Sequence, residues 1–131
     1  MPTALIVEDD TNFRHRLKRF LSSQFPTVFF TEAVNGKEAF SEIVSSLPAL
    51  VFMDIKLSGE NGLELTKRIK DKHPEIIVVI LSNYDFLEYR DAAFKNGADF
   101  FLVKGTVSLV EIGALVKSLL SRMSKNTMAQ S

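Results

Sequence analysis

Cysteine is absent from this chain, which excludes disulfides, zinc–thiolate sites and thiol catalysis. Net charge is absent too: sixteen lysines and arginines offset sixteen aspartates and glutamates. A neutral sum offers no electrostatic footprint for direct nucleic-acid binding. Long apolar runs are also missing, and the longest, Ile76 to Leu81, is far too short to span a bilayer. The opening Met-Pro-Thr-Ala-Leu-Ile has no basic segment leading into an apolar stretch, so no signal peptide is read. There is no internal repeat or low-complexity tract. A soluble, cytoplasmic protein without membrane contact is therefore expected.

What is present suits a packed core. At 131 residues and 46% hydrophobic content, with eleven phenylalanines, the chain predicts one ordered domain. Strand-length apolar runs alternate with segments of helical period. The expected strands are Ala4–Val7, Thr27–Ala33, Ala49–Asp54, Ile76–Leu81 and Asp99–Lys104. Between them, Phe13, Leu17, Phe20, Leu21 and Phe25 mark a first helix, with Asp10 or Thr11 as its cap. Phe40, Ile43, Val44 and Leu47 mark a second, and Leu65 and Ile69 a third that ends at His73-Pro74. Phe86, Tyr89, Ala93 and Phe94 mark a fourth, closed by Gly97, and Leu109, Ile112, Val116, Leu119 and Leu120 a fifth. Five β–α units in succession imply an α/β fold: a doubly wound, five-stranded parallel sheet with helices on both faces. The domain is placed at 1–123. The small, polar residues 124–131 read as a C-terminal tail or the start of a linker.

The charges that matter sit at strand ends. Glu8 and Asp9 follow the first strand, Asp54 closes the third, and Lys104 closes the fifth. Strands this apolar are covered on both faces, and ligand sites in such sheets lie beyond the carboxyl ends. Clustered carboxylates point to a hard divalent cation, and a nearby lysine to an anion such as phosphate. An isolated strand-end aspartate is more often a solvated acid. With Glu8 and Asp9 beside it, Asp54 becomes a candidate nucleophile toward a phosphoryl group, because three carboxylates in one cleft repel unless a cation joins them. Magnesium needs oxygen ligands, and two or three carboxylates plus the Lys56 backbone carbonyl suffice. Ser82, after the fourth strand, offers a hydroxyl to the same pocket. Phe101 lies on the strand leading into it, where packing alone explains an aromatic. His15 and His73 fall on helical segments without ligand partners. The acidic first turn Glu8-Asp9-Asp10-Thr11 replaces the glycines a pyrophosphate needs, which argues against a flavin or dinucleotide site.

Together, Glu8-Asp9, the lone Asp54, Ser82 and Lys104 on five alternating units resemble the receiver domain of bacterial two-component response regulators, from about Thr3 to Met123. The resemblance implies a chemotaxis-receiver-like, flavodoxin-like sheet of order 2-1-3-4-5. It implies Asp54 as phosphoacceptor, served by a histidine kinase or phosphotransfer protein. It implies magnesium held by Asp9, Asp54 and the Lys56 carbonyl, with Glu8 acting through water. Lys104 becomes the phosphate lysine, Ser82 the switch hydroxyl and Phe101 the aromatic switch. The domain would be a phosphoacceptor switch rather than an enzyme acting on other molecules. A homodimer through the face of the fourth helix, fifth strand and fifth helix is implied too. An output domain regulating transcription would lie outside this segment.

Two departures stand out. Gly105 replaces the proline that usually follows the lysine across a cis bond, and Ser58 replaces a common proline in the loop after the phosphoacceptor. Lys-Gly resembles receivers coupled to helix-turn-helix outputs of the nitrate-response type. Two alternatives are an aspartyl-phosphate phosphatase, and a receiver-like binding module that is never phosphorylated. The phosphatase reading wants a general acid two residues after the nucleophile, where Lys56 stands.

Overall fold

The computed structural model describes residues 2–130, and for 124–130 the backbone alone. Each β-branched or aromatic run becomes a strand, and each 3.6-period segment a helix laid against it. The order is β1 (Thr3–Val7), α1 (Thr11–Gln24), β2 (Phe29–Ala33), α2 (Gly36–Ser46), β3 (Leu50–Asp54), β4 (Lys56–Leu57), β5 (Glu60–Asn61), α3 (Gly62–Lys72), β6 (Ile77–Ser82), α4 (Leu87–Lys95), β7 (Phe100–Val103) and α5 (Leu109–Gln130). Five strands form a parallel sheet in the order β2-β1-β3-β6-β7. Leaving the short β4–β5 pair uncounted, this is the expected 2-1-3-4-5.

Alternation along the strands splits the core in two. Leu5, Val7, Val51, Met53, Val78 and Ile80 face α2, α3 and α4, meeting Ala39, Ile43, Leu65, Ile69 and Ala93. Ala4, Ile6, Phe52, Val79 and Leu81 face α1 and α5, meeting Leu17, Leu21, Ile112, Val116 and Leu119. All of β3 is buried, so its last residue, Asp54, is delivered to the carboxyl edge from the centre of the sheet.

Some expected details shift. The second strand starts at Phe29 rather than Thr27, and Phe25 closes α1 as its cap while packing, partly buried, against the Leu17–Leu21 core. Val44 is 80% exposed because it sits one position past the inward Ile43, and Leu47 adopts a left-handed φ of 44° as the cap of α2. Phe86 precedes α4 as its N-cap, and both Phe86 and Phe94 are exposed. Ala93 is the one fully buried residue of α4, with Tyr89 and Ala92 packed partly buried beside it, which makes it the least embedded helix among the described residues. Asp10 caps α1, accepting from the Phe13 N–H at 3.2 Å, and Gly97 takes a φ of 98° just past α4. The backbone of α5 stays helical to Gln130, past Met123.

The turn-rich Ser58-Gly59-Glu60-Asn61-Gly62 loop is more ordered than its composition suggests. β4 and β5 pair antiparallel across Gly59, whose φ is 72°. Gly62 then starts α3 against the site strand: its N–H donates to the Ile55 carbonyl at 2.6 Å, and a Cβ there would lie 1.8 Å from the Asp54 carbonyl oxygen. Gly62→Ala is expected to cost about 2–3 kcal/mol in urea unfolding, the scale of an overpacked contact with unyielding backbone. An unchanged midpoint would show that this approach is looser than described.

Candidate functional site

β1 and β3 are direct neighbours, with Val7 in register with Met53. The residues just beyond that pair therefore come together at the sheet's carboxyl edge. One carboxylate oxygen each from Glu8, Asp9 and Asp54 lies within 4.8 Å of the others. Glu8 is fully buried, Asp54 is 4% exposed and Asp9 is half-buried. Lys104, one residue past β7, reaches the same point. Its ammonium pairs with Glu8 Oε1 and lies 3.5 Å from Asp54 Oδ1. The Phe13 ring flanks that ammonium at 4.9 Å.

The scaffold beneath Glu8 comes from α1. Arg14 lies on the same helical stripe as Leu17 and Leu21 and is almost fully buried. Its Nη1 donates to the Glu8 carbonyl at 2.8 Å, and its Nε to Glu32 Oε1 at 3.0 Å. Lys18 adds a bond to Glu32 Oε2 at 3.2 Å. Burial alone would raise the Glu32 carboxyl, but the hydrogen bonds and charges of Lys18 and Arg14 outweigh it and hold that group below its ordinary value. Sequence reasoning missed Arg14. A cation placed at i, i+3 and i+7 with two buried leucines was the signal that could have found it.

Asp54 is moved the other way. Burial, then the hydrogen bond and charge of Glu8, push its carboxyl from 3.8 up to about 7, with Asp9 adding to the rise and Lys104 opposing it. Glu8 Oε1 is buried without a well-aligned hydrogen bond and faces the Lys104 ammonium. Three hard oxygen donors, mutually repelling and incompletely satisfied, fit a hard divalent cation.

The remaining candidates take distinct places. Ser82 lines a small pocket with Asp54, Lys56, Asn83, Tyr84 and Tyr89. Its hydroxyl is engaged within its own loop, donating to the Tyr84 carbonyl at 2.8 Å and accepting the Tyr84 N–H at 3.0 Å. The Lys56 side chain turns outward, its ammonium 4.6 Å from the Tyr84 ring centroid and 6.0 Å from that of Tyr89. Phe101 is buried in the core beneath α4, with the Arg90 guanidinium 4.8 Å from its ring centroid. His15 is exposed near Glu32, and His73 lies beside Glu75, so neither enters the site. The Lys104–Gly105 bond is trans, like every described peptide bond.

A doubly wound parallel sheet with an acidic cluster and a lysine at its carboxyl edge defines a class: an α/β domain whose strand-end carboxylates could hold a metal ion. Residues 4–117 match the family model for the response regulator receiver domain. Over 116 residues the chain is 33% identical to the DNA-binding transcriptional regulator NtrC of Salmonella typhimurium, covering 88% of this chain and 24% of that protein. It is 37% identical over 105 residues to the sensory transduction protein LytT of Bacillus subtilis, covering 79% of this chain and 42% of LytT. Against these curated relatives the chain spans a quarter to under half of their length. A two-component response regulator from Clostridium difficile superposes with a TM-score of 0.86 at 28% identity, over 94% of this chain and 98% of that one. A CheY-like receiver domain protein from Methanospirillum hungatei JF-1 gives 0.85 at 25% identity, over 96% and 98%. The chain belongs to the response regulator receiver domain family of two-component signalling. Among the described residues no helix is long and apolar enough to cross a membrane.

The raised Asp54 carboxyl makes stability depend on pH with a definite sign. The unfolded chain releases this proton near 3.8, whereas the folded chain keeps it to about 7. The folded form therefore binds more protons in that window, and this group's contribution falls as pH rises through it. In chelator, Asp54→Asn should match the parent's unfolding free energy near about pH 4. Above about pH 7 it should exceed the parent by about 2–4 kcal/mol, since moving a carboxyl's midpoint by one pH unit corresponds to about 1.4 kcal/mol. A difference that stays flat from acid to neutral pH would contradict this electrostatic origin.

Proposed function

We propose that Asp54 is the phosphoacceptor of a magnesium-dependent signalling switch, charged by a histidine kinase or a histidine phosphotransfer protein. The observation that supports this best is the buried Glu8–Asp9–Asp54 cluster with Lys104 beside it. Asp9, Asp54 and the Lys56 carbonyl would hold the magnesium, with Glu8 acting through water. Bound there, the ion would supply positive charge opposite the transferring phosphoryl group.

The chain's own residues do the rest. An Asp54 oxygen attacks phosphorus of the donor's phosphohistidine as the P–N bond breaks, and that electron pair returns to the ring nitrogen. Lys104 lies within reach of both Asp54 and Glu8, so its ammonium can leave Glu8 for a phosphoryl oxygen while staying in the pocket. The catalytic contribution is positioning plus preorganised charge. Water later attacks phosphorus of the acyl phosphate, the P–O bond to Asp54 breaks, and inorganic phosphate leaves as the carboxylate is restored, so turnover is confined to the protein's own covalent state.

Switching follows from the new phosphoryl oxygens. Ser82 would exchange its bonds with the Tyr84 backbone for a phosphoryl oxygen, drawing the β6–α4 loop inward. Phe101 would respond through burial alone, since it has no hydroxyl. α4 is the helix best suited to move, because its grip on the core is slight. The altered surface, formed by α4, β7 and α5, would face a partner or a second copy of the chain. The setting is cytoplasmic, with no nucleic acid bound by this segment. Transcription would be regulated through an output domain, as the relatives' names suggest of those proteins.

The test is mass spectrometry after incubation with acetyl phosphate and magnesium. One phosphoryl group is expected on the parent chain, and none with chelator or on Asp54→Asn. Lys104→Ala should slow labelling by about 100-fold or more, the usual cost of removing a group that stabilises transition-state charge. Continued labelling of Asp54→Asn, or multiple turnover on a phosphate ester, would overturn the assignment.

A further inference from the structure

The β4–β5 hairpin between Asp54 and α3 is tied down at two places that the phosphoryl chemistry leaves unexplained. The first is Ser58, at the hairpin's turn. Its hydroxyl donates to Asp9 Oδ2 at 3.1 Å across 49 residues of sequence. Asp9 is otherwise only half-buried, on the segment leading from β1 into α1. The second is Glu60 on β5, whose Oε1 accepts the Gly36 N–H at 2.9 Å. Gly36 is the first residue of α2, where N–H groups lack helical partners and the helix end favours negative charge. A Cβ on Gly36 would fall 2.2 Å from Glu60 Oε2 and 2.9 Å from Leu65 Cδ2. The carboxylate thus sits in a notch that only a residue without a side chain leaves open. At its far end the hairpin is closed by the Gly62 N–H on the Ile55 carbonyl and by Asn61 Oδ1 accepting from Leu63.

We infer that Ser58 and Glu60 are positioning residues for the cation site: Ser58 orients the Asp9 carboxylate, and the Glu60–Gly36 clasp holds the hairpin that presents Ser58. The inference rests on the reading of Asp9 as a magnesium ligand. A carboxylate near the surface can rotate freely, and a ligand held by an outer hydrogen bond spends more of its time in the binding orientation. Of the two Asp9 oxygens, Oδ2 accepts from Ser58, so this bond fixes the plane in which the carboxylate would meet the cation. The same hairpin carries the Lys56 carbonyl, so one clasp steadies both loop-borne contributions to the site.

The test separates orientation from plain stability. Magnesium is titrated into the purified chain by calorimetry and by tyrosine emission. Both tyrosines of the sequence, Tyr84 and Tyr89, line the wall beside Asp54, so the emission reports on the site. Ser58→Ala should weaken magnesium binding about three- to tenfold, the range expected for one outer hydrogen bond to a ligand, with its unfolding midpoint in chelator unchanged. Ser58→Thr, which keeps the hydroxyl, should bind as the parent does. Glu60→Ala and Gly36→Ala should each weaken binding, and the double variant should be no weaker than the worse single, because both break one contact. Parental or tighter affinity in Ser58→Ala would overturn the role of Ser58, the tighter case meaning that its hydroxyl competes with the cation. Stability loss in Glu60→Ala without affinity loss would overturn the clasp. If the parent chain itself fails to bind magnesium, the cation reading falls and this inference with it.

Discussion

The repulsion among Glu8, Asp9 and Asp54 is the constraint on which the rest of the site depends. Folding brings these carboxylates together because β1 and β3 are adjacent, and two of the three are withdrawn from water. Like charges in so small a space cost energy unless a proton or a cation intervenes. Each neighbouring feature answers that need. Lys104 leans onto Glu8, Ser58 donates to Asp9, and the Asp54 carboxyl keeps its proton to about 7. Among the described residues, this cluster is where a bound cation would relieve the repulsion.

The scaffold bears that instability because its centre is unusually apolar. Every residue of β3 is buried, and both faces of the sheet are covered by separate helix layers. Arg14 extends this support from below: it grips the carbonyl of Glu8 while its charge is neutralised by Glu32, so the site receives a hydrogen bond without receiving another net charge. α4 contrasts with this. It has one fully buried residue, Ala93, with Tyr89 and Ala92 packed partly buried beside it, and it adjoins the loop holding Ser82. A densely paired acidic corner beside a lightly anchored α4 suits the proposed switch.

Much of this was legible in the sequence, because strand-length β-branched runs and 3.6-period stripes leave few alternatives for the layers. The strand-end positions of Glu8, Asp9, Asp54 and Lys104 pointed to one pocket, and the sheet order brings their side chains together there. Side-chain direction within a helix was less legible: Val44 and Phe94 are apolar yet exposed, since one step along a helix turns a residue about 100° away from its buried neighbour. The β4–β5 pair, the Glu60–Gly36 clasp and the fit of Gly62 against Asp54 were invisible because they arise only once the chain has closed on itself. A run such as Ser-Gly-Glu-Asn-Gly signals only a turn, and what the turn touches depends on the finished fold. Ser82 lines the small pocket with Asp54, but that its hydroxyl is held by the Tyr84 backbone could be seen only in the structure.

The most direct measurement of the central claim is the ionisation of Asp54 itself, followed by carbon-13 NMR of its side-chain carboxyl across a pH titration. Without divalent cation the predicted midpoint is about 7, far above the usual 3.8. With saturating magnesium the same midpoint should fall by well over one pH unit, because the ion favours the charged form. A midpoint near 3.8 that ignores magnesium would contradict the claim, leaving these carboxylates as neighbours that share neither strain nor metal.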